Sequence, residues 1–309
     1  MARIGRRELL SYTLAAACSR PEKPKQAPTL PRATVAATVA AAPPACGAPE
    51  LVEWSIEGVS TRAAILVPKG TREARFPVLV ALHGHGEAVK GPVRGALGWP
   101  NDYALARAIE RACAPPLVAE DFEGLVTPEH LAELNRELAE RPVRGLIVAC
   151  PYLPDLDLRR DAEIASYGRF LAETLLPRVA RELPALSGPE STGIDGVSLG
   201  GAVALRAGLG LPATFGAVGA LQPAIDDARV AELVELARAA RAKRPGLRLR
   251  LTTSTEDYYR AVTHALDDAW RGAGVEHDFA EVPGPHDYVF NRGPGAYEML
   301  LWHERELSR

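Results

Sequence analysis

A serine flanked by glycines is the first candidate for chemistry in this chain. Ser198 lies in a G-x-S-x-G-G motif at 196–201, after a short segment with β-branched residues and before a run of helix-forming residues. A strand, a sharp turn and a helix are the setting of a nucleophilic serine, because the glycines remove side chains that would collide in the bend. The backbone N–H of Leu199 would then lie at a helix N-terminus and face a developing negative charge. Glycine-rich chains also produce this string as a plain turn, so the prediction depends on further residues.

A histidine and a carboxylate follow the serine in positions suited to activate it. His286 comes directly after a predicted strand, on a loop that two prolines stiffen. A general base needs such a fixed imidazole, able to reach the serine hydroxyl on one side and a carboxylate on the other. Asp257 follows the predicted strand at 247–253, and we predict it as the carboxylate, with Glu256 as the alternative. Acidic residues at this point would also stabilise the start of a helix.

Two further histidines lie in the His-Gly-His-Gly turn at 83–86, after the continuous apolar run at 77–82. Such a run predicts a strand buried on both faces. His83 and His85 are a possible metal pair, but no cluster of acidic residues or cysteines accompanies them, so we predict neither a metal nor a cofactor. We interpret four other histidines as structural or exposed: His277 in a predicted strand, His264 and His303 on helices, and His130 at the surface.

Apolar runs that predict strands alternate with helical patterns from residue 50 onward. This alternation predicts an α/β fold, with a mostly parallel central sheet and helices on both faces. The first two strands should form a hairpin around Gly58. The region 87–144 is longer than a usual connection and is predicted to be an insertion bordering the pocket, with helices that begin near Pro100 and after Thr127.

The order Ser198, Asp257, His286, with the turn at 83–86 upstream, resembles the α/β-hydrolase superfamily. The segment Gly-Pro-His-Asp-Tyr at 284–288, before a final helix, resembles the branch that contains esterase D and feruloyl esterase-like enzymes. This resemblance covers 50–309. It implies a serine esterase that cleaves a small-molecule carboxylic ester through a Ser-His-Asp triad and an acyl-enzyme, without a cofactor. It also implies that the N–H groups of His85 and Leu199 form the oxyanion hole.

Three alternatives to an esterase remain open at the level of sequence. A serine peptidase and an acyltransferase share the fold and the triad, and a non-catalytic surface lipoprotein could keep the fold as a binding scaffold. The region 87–144 departs from the family pattern, so the acyl and alcohol parts of the substrate stay open.

The N-terminus carries features of a bacterial export signal. An arginine pair at 6–7 and a short apolar stretch precede small residues that end at Cys18, which resembles a twin-arginine signal with a lipoprotein cleavage site. We predict an export signal at 1–18, a Pro/Ala-rich tether at 19–49 and the hydrolase domain at 50–309, and hence a periplasmic or membrane-anchored lipoprotein. The alternative is an ordinary disordered N-terminus.

Composition and cysteine content narrow the classes further. Hydrophobic residues make up 47% of the 309 residues, enough for a sizeable core, and the net charge of −3 gives no basic footprint for nucleic acid. If Cys18 is lipidated, Cys46, Cys113 and Cys150 remain, so at most one disulfide can form within the chain. Cys150 ends an apolar run and is predicted to be a buried thiol.

Overall fold

An eight-stranded sheet forms the centre of the structure, a computed structural model that describes residues 47–70 and 73–307. The predicted export signal and residues 19–46 of the predicted tether lie outside the described residues. The sheet order is β1-β2-β4-β3-β5-β6-β7-β8. The strands are β1 Glu50–Ser55, β2 Arg62–Val67, β3 Val78–Leu82, β4 Ile147–Pro151, β5 Thr192–Gly196, β6 Ala217–Leu221, β7 Arg248–Glu256 and β8 Asp278–Pro285.

The strand directions bring several loops to one edge of the sheet. β1 and β2 form the predicted antiparallel hairpin, and β2 also runs antiparallel to β4. From β4 to β8 all neighbours are parallel, so their carboxyl ends lie at the same edge. The register pairs Leu82 with Gly196 and Glu256 with Pro285. The turn after β3 therefore lies beside the turn after β5, and the residues after β7 lie beside those after β8.

Helices connect the parallel strands. They are α1 His85–Ala88, α2 Gly91–Gly95, α3 Leu105–Ala112, α4 Pro128–Glu140, α5 Asp161–Phe170, α6 Leu176–Glu182, α7 Leu199–Gly210, α8 Asp227–Lys243, α9 Arg260–Gly272, α10 Tyr288–Phe290 and α11 Ala296–Leu307. Short π-helical turns lie at Gly98–Asp102, Leu171–Leu175 and Asn291–Gly295. Within the described residues, no helix has the length and apolar character needed to cross a membrane.

Apolar clusters cover both faces of the sheet, which confirms the predicted α/β architecture. Val80 and Leu82 of β3 belong to a cluster with α5 to α9, whereas Leu79 and Ala81 belong to a second cluster with α3, α4 and α11. Successive side chains of a strand point to opposite faces, so a strand covered on both sides must be apolar throughout. The residues at 77–82 are all apolar because β3 is covered on both faces.

Two predicted element boundaries were wrong. His277 lies before β8 rather than within a strand, because its imidazole bonds to the Val275 carbonyl and to Asp267 of α9. The helix predicted from Pro100 begins instead at Leu105, after a π-helical turn and Ala104, whose φ is +51°. The predicted N-cap of α4 is confirmed, since the Thr127 hydroxyl accepts a hydrogen bond from the His130 N–H at 3.2 Å.

Candidate active site

Ser198 sits in a strained turn between β5 and α7. Its φ of +57° and ψ of −117° lie in a region that side-chain-bearing residues rarely occupy. A Cβ on Gly200 would come within 2.4 Å of the Leu82 carbonyl oxygen, and one on Gly196 would come within 2.5 Å of the Gly200 backbone. Only glycine fits at both positions, which is the steric requirement inferred from the motif. This turn places the Ser198 side chain at the carboxyl edge of the sheet.

Asp257 and His286 are in direct contact. His286 Nδ1 lies 2.7 Å from Asp257 Oδ1. The same carboxylate accepts hydrogen bonds from the Thr253 hydroxyl at 2.8 Å and the Tyr259 N–H at 3.0 Å. An ionised carboxylate has no proton and can only accept, so His286 Nδ1–H donates to Asp257, and in the corresponding neutral tautomer Nε2 is the acceptor. The alternative acid, Glu256, is exposed at the end of β7.

A buried glutamine links this pair to the serine turn. The Ser198 N–H donates to the Leu221 carbonyl at 3.0 Å, at the end of β6. The next residue, Gln222, donates through Nε2 to Ser254 Oγ at 2.6 Å and to the Pro285 carbonyl at 2.9 Å. Gln222 thus joins the strand ends that precede Asp257 and His286. Sequence reasoning missed it, although a polar residue directly after an apolar strand was a usable signal.

The hydroxyl of Ser198 shares no hydrogen bond with His286 among the described residues. Such contacts commonly tighten only when the substrate is bound. The structure therefore brings Asp257 and His286 together directly and Ser198 to the same edge of the sheet.

The turn at 83–86 lies against the serine. A Cβ on Gly84 would be 3.7 Å from the Ser198 Cβ. His85 is the first residue of α1, and Leu199 is the first residue of α7. The N–H groups in the first turn of a helix lack acceptors within the helix, so both can bind an anion. Of the two residues predicted for the oxyanion hole, Leu199 directly follows the serine and His85 directly follows Gly84, on different elements.

The two histidines of this turn have separate partners. His83 is buried, its Nδ1 lies 2.9 Å from the Gly84 carbonyl oxygen, and its Nε2 accepts from the Leu153 N–H at 2.9 Å. Burial lowers the pKa of His83 to about 4, so its ring is neutral near pH 7. His85 Nδ1 lies 2.9 Å from the exposed Asp155 carboxylate. No group of three or more metal-ligating side chains is found in the part of the chain that the structure describes.

An exposed tyrosine covers one face of His286. The Tyr258 ring stacks on the imidazole at 4.6 Å between centroids, and its hydroxyl donates to the His286 carbonyl at 2.9 Å. Tyr258 is 76% exposed, so this contact borders open solvent. Sequence reasoning did not identify Tyr258 as part of the site.

The remaining histidines form ion pairs or hydrogen bonds away from the Asp257–His286 pair. His303 is fully buried, and its Nε2 lies 3.0 Å from Asp195, two residues before the strained turn begins at Val197. Burial lowers the pKa of His303, which favours its neutral form. Each of the others faces one carboxylate: His130 with Glu298, His264 with Glu281 and His277 with Asp267.

Comparisons with known proteins agree with this fold. Residues 159–290, which include Ser198, Asp257 and His286, match the family model described as "Putative esterase". A search of curated proteins finds no match. A solved ferulic acid esterase is similar with a TM-score of 0.61 and 17% identity, over 84% of this chain and 98% of that one. The Staphylococcus aureus serine hydrolase FphF, described as fluorophosphonate-binding, is similar with a TM-score of 0.60 and 13% identity, over 84% of this chain and 99% of that one. A ferulic acid esterase from Anaeromyces mucronatus, solved with ferulic acid, is similar with a TM-score of 0.54 and 16% identity, over 84% of this chain and 91% of that one.

At these identities the structural likeness establishes the fold, which is that of α/β-hydrolase esterases. The family match over residues 159–290 supports an esterase activity for this chain. The resemblance and the enzyme class predicted from the motifs are confirmed.

Proposed function

We propose that this esterase cleaves its substrate through Ser198, His286 and Asp257 and an acyl-enzyme intermediate. His286 Nε2 takes the proton of the Ser198 hydroxyl as Oγ attacks the ester carbonyl. Asp257 fixes the Nδ1–H tautomer and stabilises the imidazolium that forms. His286 then protonates the leaving alcohol, and water, activated by the same imidazole, releases the acid.

The oxyanion of each tetrahedral intermediate would be held by the N–H groups of His85 and Leu199. Two fixed donors at helix N-termini stabilise charge that develops in the transition state, and one such donor contributes about 3 kcal/mol. Neither role needs a metal or an organic cofactor.

The observation that carries this proposal is the hydrogen bond between His286 Nδ1 and Asp257 at 2.7 Å. It lies at the same sheet edge as the strained Ser198 turn. This pairing gives the imidazole the tautomer and orientation that a general base needs, and three donors hold the buried carboxylate in place.

Replacement of the serine tests the proposal. Ser198→Ala should abolish turnover of a p-nitrophenyl ester and leave the circular dichroism spectrum unchanged. Ser60→Ala is the control, since it removes the hydroxyl of a buried serine that bonds only to the Arg62 carbonyl among the described residues. Turnover by Ser198→Ala at the level of the parent protein would refute the assignment.

The ester that this enzyme cleaves is best found with a small panel. Acetyl, butyryl, longer acyl and feruloyl esters should be compared, because two of the similar structures are ferulic acid esterases. The same panel with an anilide and with added alcohol acceptors separates an esterase from a peptidase and an acyltransferase. A folded protein that cleaves no member would favour the non-catalytic scaffold.

We also propose that the protein is exported and anchored through a lipid on Cys18. The disulfide at Cys113 supports export, because disulfides persist in oxidising compartments, whereas Cys150 is a free buried thiol. Detergent phase partition of the full chain, compared with Cys18→Ser, tests the lipid anchor. Equal partition of both proteins into the aqueous phase would contradict it.

A further inference from the structure

A polar cluster around one buried glutamate lies behind the turn at 83–86 and has no part in the proposed chemistry. Its centre is Glu87, which is fully buried in α1. The Glu87 carboxylate accepts hydrogen bonds from the hydroxyls of Tyr103 and Tyr288, the latter at 2.6 Å, and from Lys90 Nζ at 3.2 Å. Lys90 also bonds to Asp102 at 2.8 Å.

The first tyrosine connects Glu87 to the oxyanion turn. The Tyr103 hydroxyl accepts from the Gly84 N–H at 3.3 Å, so its own proton is directed to Glu87. The residue after Gly84 is His85, whose N–H is the proposed oxyanion donor. A shift of Tyr103 would therefore move Gly84, and with it the next peptide, which carries this donor.

The second tyrosine connects Glu87 to the loop of the catalytic histidine. Tyr288 follows His286 by two residues and begins α10, which Asp287 caps through the N–H groups of Val289 and Phe290. Gly86 makes room for this contact, because a Cβ there would lie 2.9 Å from the Tyr288 hydroxyl.

The donors and acceptors of the cluster are consistent with an ionised Glu87. Three donors converge on its two oxygens, and the Tyr103 hydroxyl already accepts from Gly84. The pKa of Glu87 is raised above its usual value, chiefly by burial and further by the charge of Asp102, while the hydrogen bonds from Tyr288 and Lys90 and the charge of Lys90 oppose this shift. The carboxylate can thus hold both tyrosines at once, as a protonated acid could not without giving up an acceptor site.

We propose that Glu87, Tyr103 and Tyr288 are positioning residues that hold the oxyanion turn and the His286 loop at a fixed separation. This inference rests on the triad proposed above. The two loops come from distant parts of the chain, and Glu87 and Tyr288 are 201 residues apart in sequence. The oxyanion donor and the base must act on the same carbonyl, so loss of their relative position reduces kcat.

Removal of single hydroxyls tests this proposal. Tyr103→Phe and Tyr288→Phe should each lower kcat for a p-nitrophenyl ester about tenfold and leave KM within about twofold, because the lost precision affects the transition state and not ground-state binding. The double variant should be little worse than either single one, because both act through Glu87. Glu87→Gln, which keeps the shape of the side chain, should also lower kcat about tenfold.

Tyr167→Phe is the matched control. Tyr167 is fully buried, and its hydroxyl donates to the Tyr152 carbonyl at 3.1 Å, outside the cluster. It should lower the thermal unfolding midpoint about as much as the other two tyrosine variants and leave kcat within about twofold. A purely structural role for the cluster would give all three variants the same kcat.

The outcomes separate this proposal from the one it rests on. Tyrosine variants with parental kcat, or single effects that multiply in the double variant, would overturn the positioning cluster alone. A parent protein whose turnover does not depend on Ser198 would overturn the triad and the cluster together.

Discussion

Asp257→Asn is a sharp test of the role given to the buried carboxylate. The asparagine Oδ1 can keep the acceptor position toward His286 and the Tyr259 N–H. Its Nδ2 would then face the Thr253 hydroxyl, which can rotate and accept. The correct tautomer of His286 therefore survives in this variant, and only the negative charge is lost.

The expected loss follows from that charge. A hydrogen bond to a charged group contributes about 1–2 kcal/mol more than one between neutral groups, and two unit charges about 4 Å apart at an effective dielectric constant of about 20 interact by about 4 kcal/mol. The imidazolium that forms in the transition state should thus lose about 2–4 kcal/mol. At about 1.4 kcal/mol per factor of ten, kcat should fall roughly 30- to 1,000-fold.

A second substitution separates charge from tautomer. Thr253→Val removes the acceptor for the asparagine Nδ2, so in the double variant the amide can turn Nδ2 toward His286 and force the wrong tautomer. That error costs roughly 10⁴-fold in kcat. Thr253→Val alone should lose less than about tenfold, since the carboxylate keeps two donors.

The assay is kcat for a p-nitrophenyl ester, with circular dichroism to verify folding. Glu256→Gln is the matched control, because Glu256 is the exposed neighbour and should be dispensable. Parental kcat in Asp257→Asn, or a loss in Glu256→Gln instead, would refute the reasoning.

Two further predictions concern the strand ends around the serine. Burial lowers the pKa of His83 from 6.5 to about 4, so between these pH values the unfolded state binds a proton that the folded state does not. The free energy of unfolding should therefore fall by about 3 kcal/mol between pH 7 and pH 4. Urea unfolding at both pH values should show a correspondingly smaller fall for His83→Gln. Equal falls in the two proteins would contradict the assignment. Gly200→Ala places a Cβ 2.4 Å from the Leu82 carbonyl oxygen and should lower the free energy of unfolding by about 2–4 kcal/mol and remove most activity. Gly210→Ala is the control and should be tolerated, because an added Cβ there meets no other part of the chain within 4 Å. Equal stability of the two variants would contradict the close approach at Gly200.

The nucleophile turn could be predicted from sequence because its requirements are local. Gly196 and Gly200 are needed for steric reasons that hold wherever a strand, a tight turn and a helix follow one another. The continuous apolar run at 77–82 predicted β3 for a similar reason, since a strand covered on both faces leaves no place for polar side chains. Asp257 and His286 were found from their positions after predicted strands.

Apart from α4, the region 87–144 could not be predicted, because its packing depends on the other end of the chain. Trp99 and Phe122 belong to the core cluster beneath α11, and the Phe122 ring lies 4.6 Å from that of Tyr297. Gln222 and Glu87 are likewise ordinary polar residues in their local sequence. Their roles arise from partners 63 and 201 positions away, which no periodicity or motif records.

Reaction with a fluorophosphonate probe tests the central claim most directly. The probe forms a covalent bond only with a serine that a neighbouring base activates. Mass spectrometry of the labelled parent protein should find one adduct, on the peptide that contains Ser198, and His286→Ala should label far more slowly. An unlabelled folded protein, or an adduct on another serine, would contradict the triad.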